Sequence, residues 1–149
     1  MAFAEVSGGV EYSDDAARID ADRVHAWLRE AYWCRGLPRD VMERAFANSM
    51  VFGAYDDSGQ VAVARVITDK ATYAYLCDVY VAEPARGRGI GQALVQFARR
   101  HPDLQNLRRW CLLTRDAQSL YERLGFTHLA EPRRYMEIAR PGMYERPAT

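Results

Sequence analysis

Lysine is almost missing from this chain: Lys70 stands alone among twenty basic residues, and the rest are arginine, a bias that a GC-rich genome explains without any structural demand. Net charge is missing too. Twenty acidic residues balance the basic ones, so no whole-molecule field draws the protein to nucleic acid or to an anionic membrane, and any anion site must be local. Cysteine is sparse. Cys34, Cys77 and Cys111 are odd in number and far apart, and two lie in apolar runs. That excludes a disulfide framework, fits a reducing cytoplasm, and makes small buried hydrophobes of them rather than nucleophiles, since no histidine is near them in sequence. His25, His101 and His128 have no metal-ligand spacing, so no metal is expected. Residues 1–12 lack a basic start followed by an apolar stretch, and nowhere is there a run of ~20 apolar residues. These absences predict an unprocessed, soluble, cytoplasmic protein with no membrane partner. No internal repeat or low-complexity tract is present.

What is present fills one α/β (α+β) domain over residues 1–149, with 49% of the residues apolar and 27% charged. Residues 6–12 read as a first strand. Val24, Trp27, Leu28, Ala31 and Tyr32 recur at helical spacing behind the caps Asp20 and Asp22, and Gly36 and Pro38 break that helix before a second one carrying Val41, Met42, Ala45 and Phe46. Residues 50–55, 61–67 and 72–82 read as three strands joined by tight turns. Ile90, Ala93, Leu94, Phe97 and Ala98 mark the clearest amphipathic helix. A buried strand over 109–114 and a short helix closed by Gly125 follow, and then two last strands over 126–130 and 134–138. The strand, helix, strand unit in the middle predicts a right-handed parallel crossover within an otherwise antiparallel sheet. Residues 140–149, with Pro141, Gly142 and Pro147, are expected to be a loose tail.

Gly87, Gly89 and Gly91 lie between a strand and the strongest helix, where successive backbone N–H groups can converge on an anion and no side chain blocks its approach. Arg86 and Arg88 add charge that can pair with phosphate oxygens. A dinucleotide fingerprint is excluded, because the third glycine it requires falls on Gln92 or Leu94, and no lysine follows to make a Walker loop. A plain tight turn and a phosphate site both remain open on this segment alone.

The run from Val79 through Tyr80, Val81 and Pro84 to Arg86, Gly87, Arg88, Gly89, Ile90, Gly91 and Gln92 resembles motif A of the GNAT acetyltransferase superfamily. Downstream, Ala117, Leu120, Tyr121, Leu124, Gly125 and Phe126 resemble motif B. The asparagine that many members carry seven residues before this tyrosine is replaced here by Thr114. The resemblance is good over residues 50–139 and extends to the first helices only by element order.

The resemblance implies a GNAT fold: a mixed, mostly antiparallel sheet of about six to seven strands flanked by about four helices. The family's β4 and β5, here residues 74–82 and 109–114, would splay to admit the pantetheine arm of acetyl-CoA. By the same resemblance Val79, Tyr80 and Val81 border pantetheine, with an amide near Val79 facing the oxyanion. Residues Arg86, Gly87, Arg88, Gly89, Ile90, Gly91 and Gln92 hold the pyrophosphate at the helix N-terminus. Tyr121 becomes the candidate acid for the departing thiolate, with core packing as its other reading. Asp78, which interrupts an apolar strand, is the candidate base; the alternatives are an ordered water as base, or pairing of Asp78 with Arg65. Tyr32 and Trp33 would border the acceptor, or pack the helix end.

The resemblance implies acetyl transfer to a primary amine of a small molecule by direct attack in a ternary complex. The alternatives are a protein or peptide amine as acceptor, and a CoA-binding sensor without turnover. Acetylation of a charged tRNA conflicts with the balanced charge. A monomer and a homodimer are both compatible with the exposed edge strands of such a sheet.

Overall fold

Alternation of small and branched apolar residues gives the central sheet two different faces. The structure, a computed structural model, describes residues 2–145. Its six strands run in sequence order across one sheet: β1 (Ala4–Ser7), β2 (Val10–Ser13), β3 (Met50–Asp56), β4 (Gly59–Thr68), β5 (Tyr73–Val81) and β6 (Arg109–Leu112). All neighbours are antiparallel except β5 and β6, which are parallel. The helix between those two, α3 (Ile90–Arg99), makes the expected crossover.

Along β4, Ala62, Ala64 and Val66 face α3 and join Phe52, Ala54, Leu94, Phe97 and Ala98 in the main core, whereas Val63 faces α1 (Ala21–Leu28) and α2 (Arg39–Ala47) and packs with Val24, Leu28 and Met42. The alanines let α3 lie close to the sheet, and each fully buried Leu or Phe contributes about 1.5–3 kcal/mol. Phe97 lies among Phe3, Tyr12 and Phe52, with ring centroids 4.8 to 6.0 Å apart. The start of α1 is tied to the sheet through buried Gln60, whose side chain accepts from Asp20 N–H at 2.7 Å and donates to Ala62 C=O at 3.0 Å.

Several elements depart from the sequence pattern. The first strand is a hairpin, because Gly8 and Gly9 both take positive φ (59° and 77°) and turn the chain back on itself. Helix α1 ends at Leu28, before the expected Ala31 and Tyr32, and residues 29–36 form successive turns. After α4 (Gln118–Arg123) the strands expected over 126–130 and 134–138 are not formed: these residues pair with no strand. Their alternation specifies an extended chain, but a strand also needs an edge to pair with. Residues 140–145, expected to be loose, pack on the loop after α1: Tyr144 joins the second core, and its carbonyl lies where a Cβ on Gly36 (φ 85°) would sit only 2.5 Å away. The rest of that expected tail, 146–149, lies outside the described residues. Among the described residues no helix is long and apolar enough to cross a membrane.

Candidate active site

The cleft originates in one extra residue in β5. Arg65 pairs with Cys77 and Val63 pairs with Tyr80, so two steps along β4 are matched by three along β5. The bulge is accommodated at Asp78, whose φ is +53°, a conformation that aspartate tolerates better than most residues. Because the bulge inverts the alternation, Val79 and Val81 face the main core, as Ala74 and Leu76 do before it, while Tyr80 faces α1 and stacks on Trp27 at 5.4 Å. The bulge also lies next to the end of the pairing between β5 and β6. Their pairing ends at Leu76 with Leu112, two residues before Asp78, so the strands splay and the β6-facing backbone of residues 77–81 has no strand partner.

The glycine turn lies at the open end of this splay. Gly87 and Gly89 have φ of 80° and 75°, and a Cβ on either would meet nothing within 4 Å. Both therefore border open space, and Gly89 caps α3 from a left-handed conformation. Gly91 differs: its Cβ would lie 3.1 Å from the Val81 side chain, so it permits close approach of helix and strand. Ile90, 3% exposed, offers this turn only its backbone. Arg86 donates to Val81 C=O at 2.9 Å and covers the Tyr80 ring, whereas Arg88 turns aside to Asp56 at 3.1 Å. Gln92 lies half-buried in the first turn of α3.

Four other expected site residues converge at the bulge end of the cleft. Asp78 accepts from Trp33 Nε1–H at 2.9 Å through one carboxylate oxygen and from Arg65 Nε–H at 2.8 Å through the other. The ion pair is sheltered, with side-chain exposures of 16% for Arg65 and 9% for Asp78. Trp33 meets Tyr32 edge to face at 5.1 Å. The Tyr32 hydroxyl accepts from Arg115 N–H at 3.1 Å, and the Arg115 guanidinium lies 3.8 Å over the same ring. Tyr121 lies close enough to Tyr32 to feel its phenol, and burial first, then that neighbour, pushes the Tyr121 pKa above its ordinary value. Its ring meets Phe126 edge to face at 5.8 Å. Thr114, at the place of the family's asparagine, accepts from Ala117 N–H at 3.0 Å and so shapes the turn into α4.

Sequence reasoning missed the far wall. A cavity of about 420 Å³ lies between residues 32–35 and residues 138–145, lined by Tyr32, Trp33 and Arg35 on one side and Ile138, Arg140 and Tyr144 on the other. Arg35 and Glu145, which both line it, form an ion pair at 3.7 Å. Only Gly36, which must take positive φ where Tyr144 crosses it, hinted at this approach. Burial pushes the thiols of Cys34 and Cys77 up to about 12, which disfavours their thiolate forms. Among the described residues no group of three or more His, Cys, Asp or Glu side chains converges.

A mixed sheet parted between two parallel strands, with a glycine turn opening the helix that joins them, is the scaffold of an acetyltransferase. Residues 47–128 match the family described as the acetyltransferase (GNAT) domain, and the chain belongs to that family. It is 31% identical over 132 residues to a Gibberella zeae protein classed as an acetyltransferase, covering 73% of each chain. A crystal structure of a protein assigned to the GNAT family from Xanthomonas campestris pv. campestris is 43% identical, with a TM-score of 0.90 over 92% of this chain and 97% of the other. A Clostridium acetobutylicum protein classed as an acetyltransferase, solved with acetyl-CoA, shares the fold at 16% identity, with a TM-score of 0.61 over 87% and 96% of the two chains.

Proposed function

We propose that the protein transfers the acetyl group of acetyl-CoA to a primary amine of a small molecule, by direct attack within a ternary complex. The observation that carries this reading is the splay at the Asp78 bulge, where an unpaired length of β5 backbone leads from the glycine turn to the cluster of Trp33, Tyr32 and Tyr121. Acetyl-CoA supplies an already activated thioester. Gly87 and Gly89 leave room for its pyrophosphate against the N-terminus of α3, and the β5 backbone at residues 79–81, which has no strand partner on the β6 side, receives its pantetheine arm. Holding the amine beside the thioester replaces a bimolecular encounter with a positioned one.

The chain's residues then divide the proton work. Tyr121, kept protonated by its raised pKa, donates to the departing sulfur. Asp78, fixed by Arg65 and Trp33, receives the proton of the attacking amine, directly or through a water. Its fixed geometry favours the water route, because each carboxylate oxygen already accepts a bond. The cavity between residues 32–35 and 138–145 opens beside Trp33 and is the place for the acceptor; its volume of about 420 Å³ is of a size for a small molecule. Incubation with acetyl-CoA and an amine library, with free thiol as the readout, tests the proposal. Thiol release with at least one amine is expected. Binding of CoA without release on any amine would instead identify a sensor.

A further inference from the structure

The cavity between residues 32–35 and 138–145 is unbalanced in charge. Its charged lining residues are Arg35, Arg140 and Glu145, two cations against one anion, so one positive charge is in excess. Glu145 is committed to Arg35 at 3.7 Å. Arg140 has no carboxylate within ion-pair distance among the described residues. The wall that presents it is not loose chain. Gly142 turns after Arg140 at φ 68°, Glu145 N–H donates to Gly142 C=O at 3.1 Å, and Tyr144 packs into the second core with its carbonyl against Gly36. The segment carrying Arg140 is thereby tied to the loop carrying Trp33, which forms the facing wall.

We propose that the acceptor is a primary amine that also carries a carboxylate, and that Arg140 holds this carboxylate across the cavity from Trp33 and Asp78. The inference rests on the acetyl-transfer reading and adds the chemical class of its acceptor. Trp33 both lines the cavity and donates to Asp78, so the reacting amine belongs at that wall and the anion at the other. A guanidinium presents parallel N–H donors that match the two oxygens of a carboxylate. A molecule seated against Tyr32, Trp33 and Tyr144 displaces water from beside that guanidinium and so strengthens the pairing. One carboxylate balances the single excess charge, whereas a phosphate dianion exceeds it beside Glu145. A volume of about 420 Å³ accommodates a molecule of amino-acid size. The carboxylate takes no part in the transfer. The amine nitrogen attacks the thioester carbonyl, the C–N bond forms as the C–S bond breaks, Asp78 or its water takes the amine proton, and Tyr121 protonates the thiolate. The products are the N-acetylated acid and CoA.

Matched acceptors test the assignment: α-amino acids and straight-chain ω-amino acids, each beside its own carboxamide, with acetyl-CoA and thiol release as the readout. For the acids that are used, kcat/KM is expected to exceed that of the carboxamide at least about tenfold, chiefly through KM, as a charge-assisted hydrogen bond predicts. Arg140→Gln should bring that ratio to about one, and Arg140→Lys, which keeps the charge but not the fork, should restore part of it. Equal use of acid and carboxamide, a preference that survives Arg140→Gln, or a preference for a phosphate-bearing amine of the same length would overturn the assignment. Thiol release on no amine would defeat the transfer reading instead. Calorimetric titration of the same pairs in the presence of CoA then decides the anion site by itself: binding of acids over carboxamides that Arg140→Gln abolishes supports it, and equal or absent binding of both overturns it.

Discussion

Tyr121 is where environment and chemistry can be separated by one atom. In the proposed role its phenol acts only while protonated, and burial raises its pKa above the ordinary 10. The proposed donation is therefore present at neutral pH and is lost as pH rises past the raised pKa. Tyr121→Phe keeps the ring against Phe126, so turnover is expected to fall about 100-fold with CoA affinity unchanged; equal loss of both would assign the residue to packing. Asp78 is a second residue-scale test. Asp78→Asn preserves tolerance of positive φ but removes the charge opposite the sheltered Arg65, and equilibrium urea unfolding is expected to show a loss of about 3 kcal/mol. A loss below about 1 kcal/mol, the value of an exposed pair, would show that solvent screens the contact. The residues of this pair were both legible in the sequence as candidates. The Trp33 bond and the bulge were not, since no local pattern records which strand position takes the extra residue.

At the scale of elements, the glycine turn and α3 divide cleanly into ligand space and packing. Gly89→Ala meets no protein atom, so its stability cost is the left-handed strain of about 1–2 kcal/mol. Its Cβ enters the space assigned to pyrophosphate, and affinity for CoA, measured calorimetrically, should fall at least about tenfold, a change of ~1.4 kcal/mol. Gly91→Ala presses on Val81 and should lower stability with little change in CoA affinity; a reversed pattern between the two variants would refute the division. The same contrast shows what sequence can reveal about elements. Helix α3, the Asp20 cap of α1 and the strands β3 to β5 follow from local periodicity and turn chemistry, which act within a few residues. The N-terminal hairpin is not legible in the apolar pattern, which reads residues 6–12 as one strand although Gly8 and Gly9 turn the chain within them. The segments 126–130 and 134–138 have strand-like alternation yet remain unpaired, because pairing is a property of two chains of backbone and only one is encoded locally.

At the scale of the whole molecule, the splay leaves β6, a strand of four residues, and α4 joined to the sheet over a short parallel pairing. A ligand lying between β5 and β6 bridges that gap and contacts α3 at once, so its binding free energy becomes folding free energy for the entire chain. With CoA at 100 times its dissociation constant the gain is about 2.7 kcal/mol, which for a domain of this length corresponds to a rise in melting temperature of roughly 5–10 °C. Differential scanning fluorimetry with CoA at millimolar concentration measures it. The balanced net charge adds a second requirement, because only local amides and arginines attract the phosphates. Raising the salt from low to physiological strength should therefore weaken binding only modestly. Absence of any CoA-induced shift would remove the basis for placing the donor in this cleft, whereas a shift accompanied by thiol release on an amine identifies the cleft as the site of transfer.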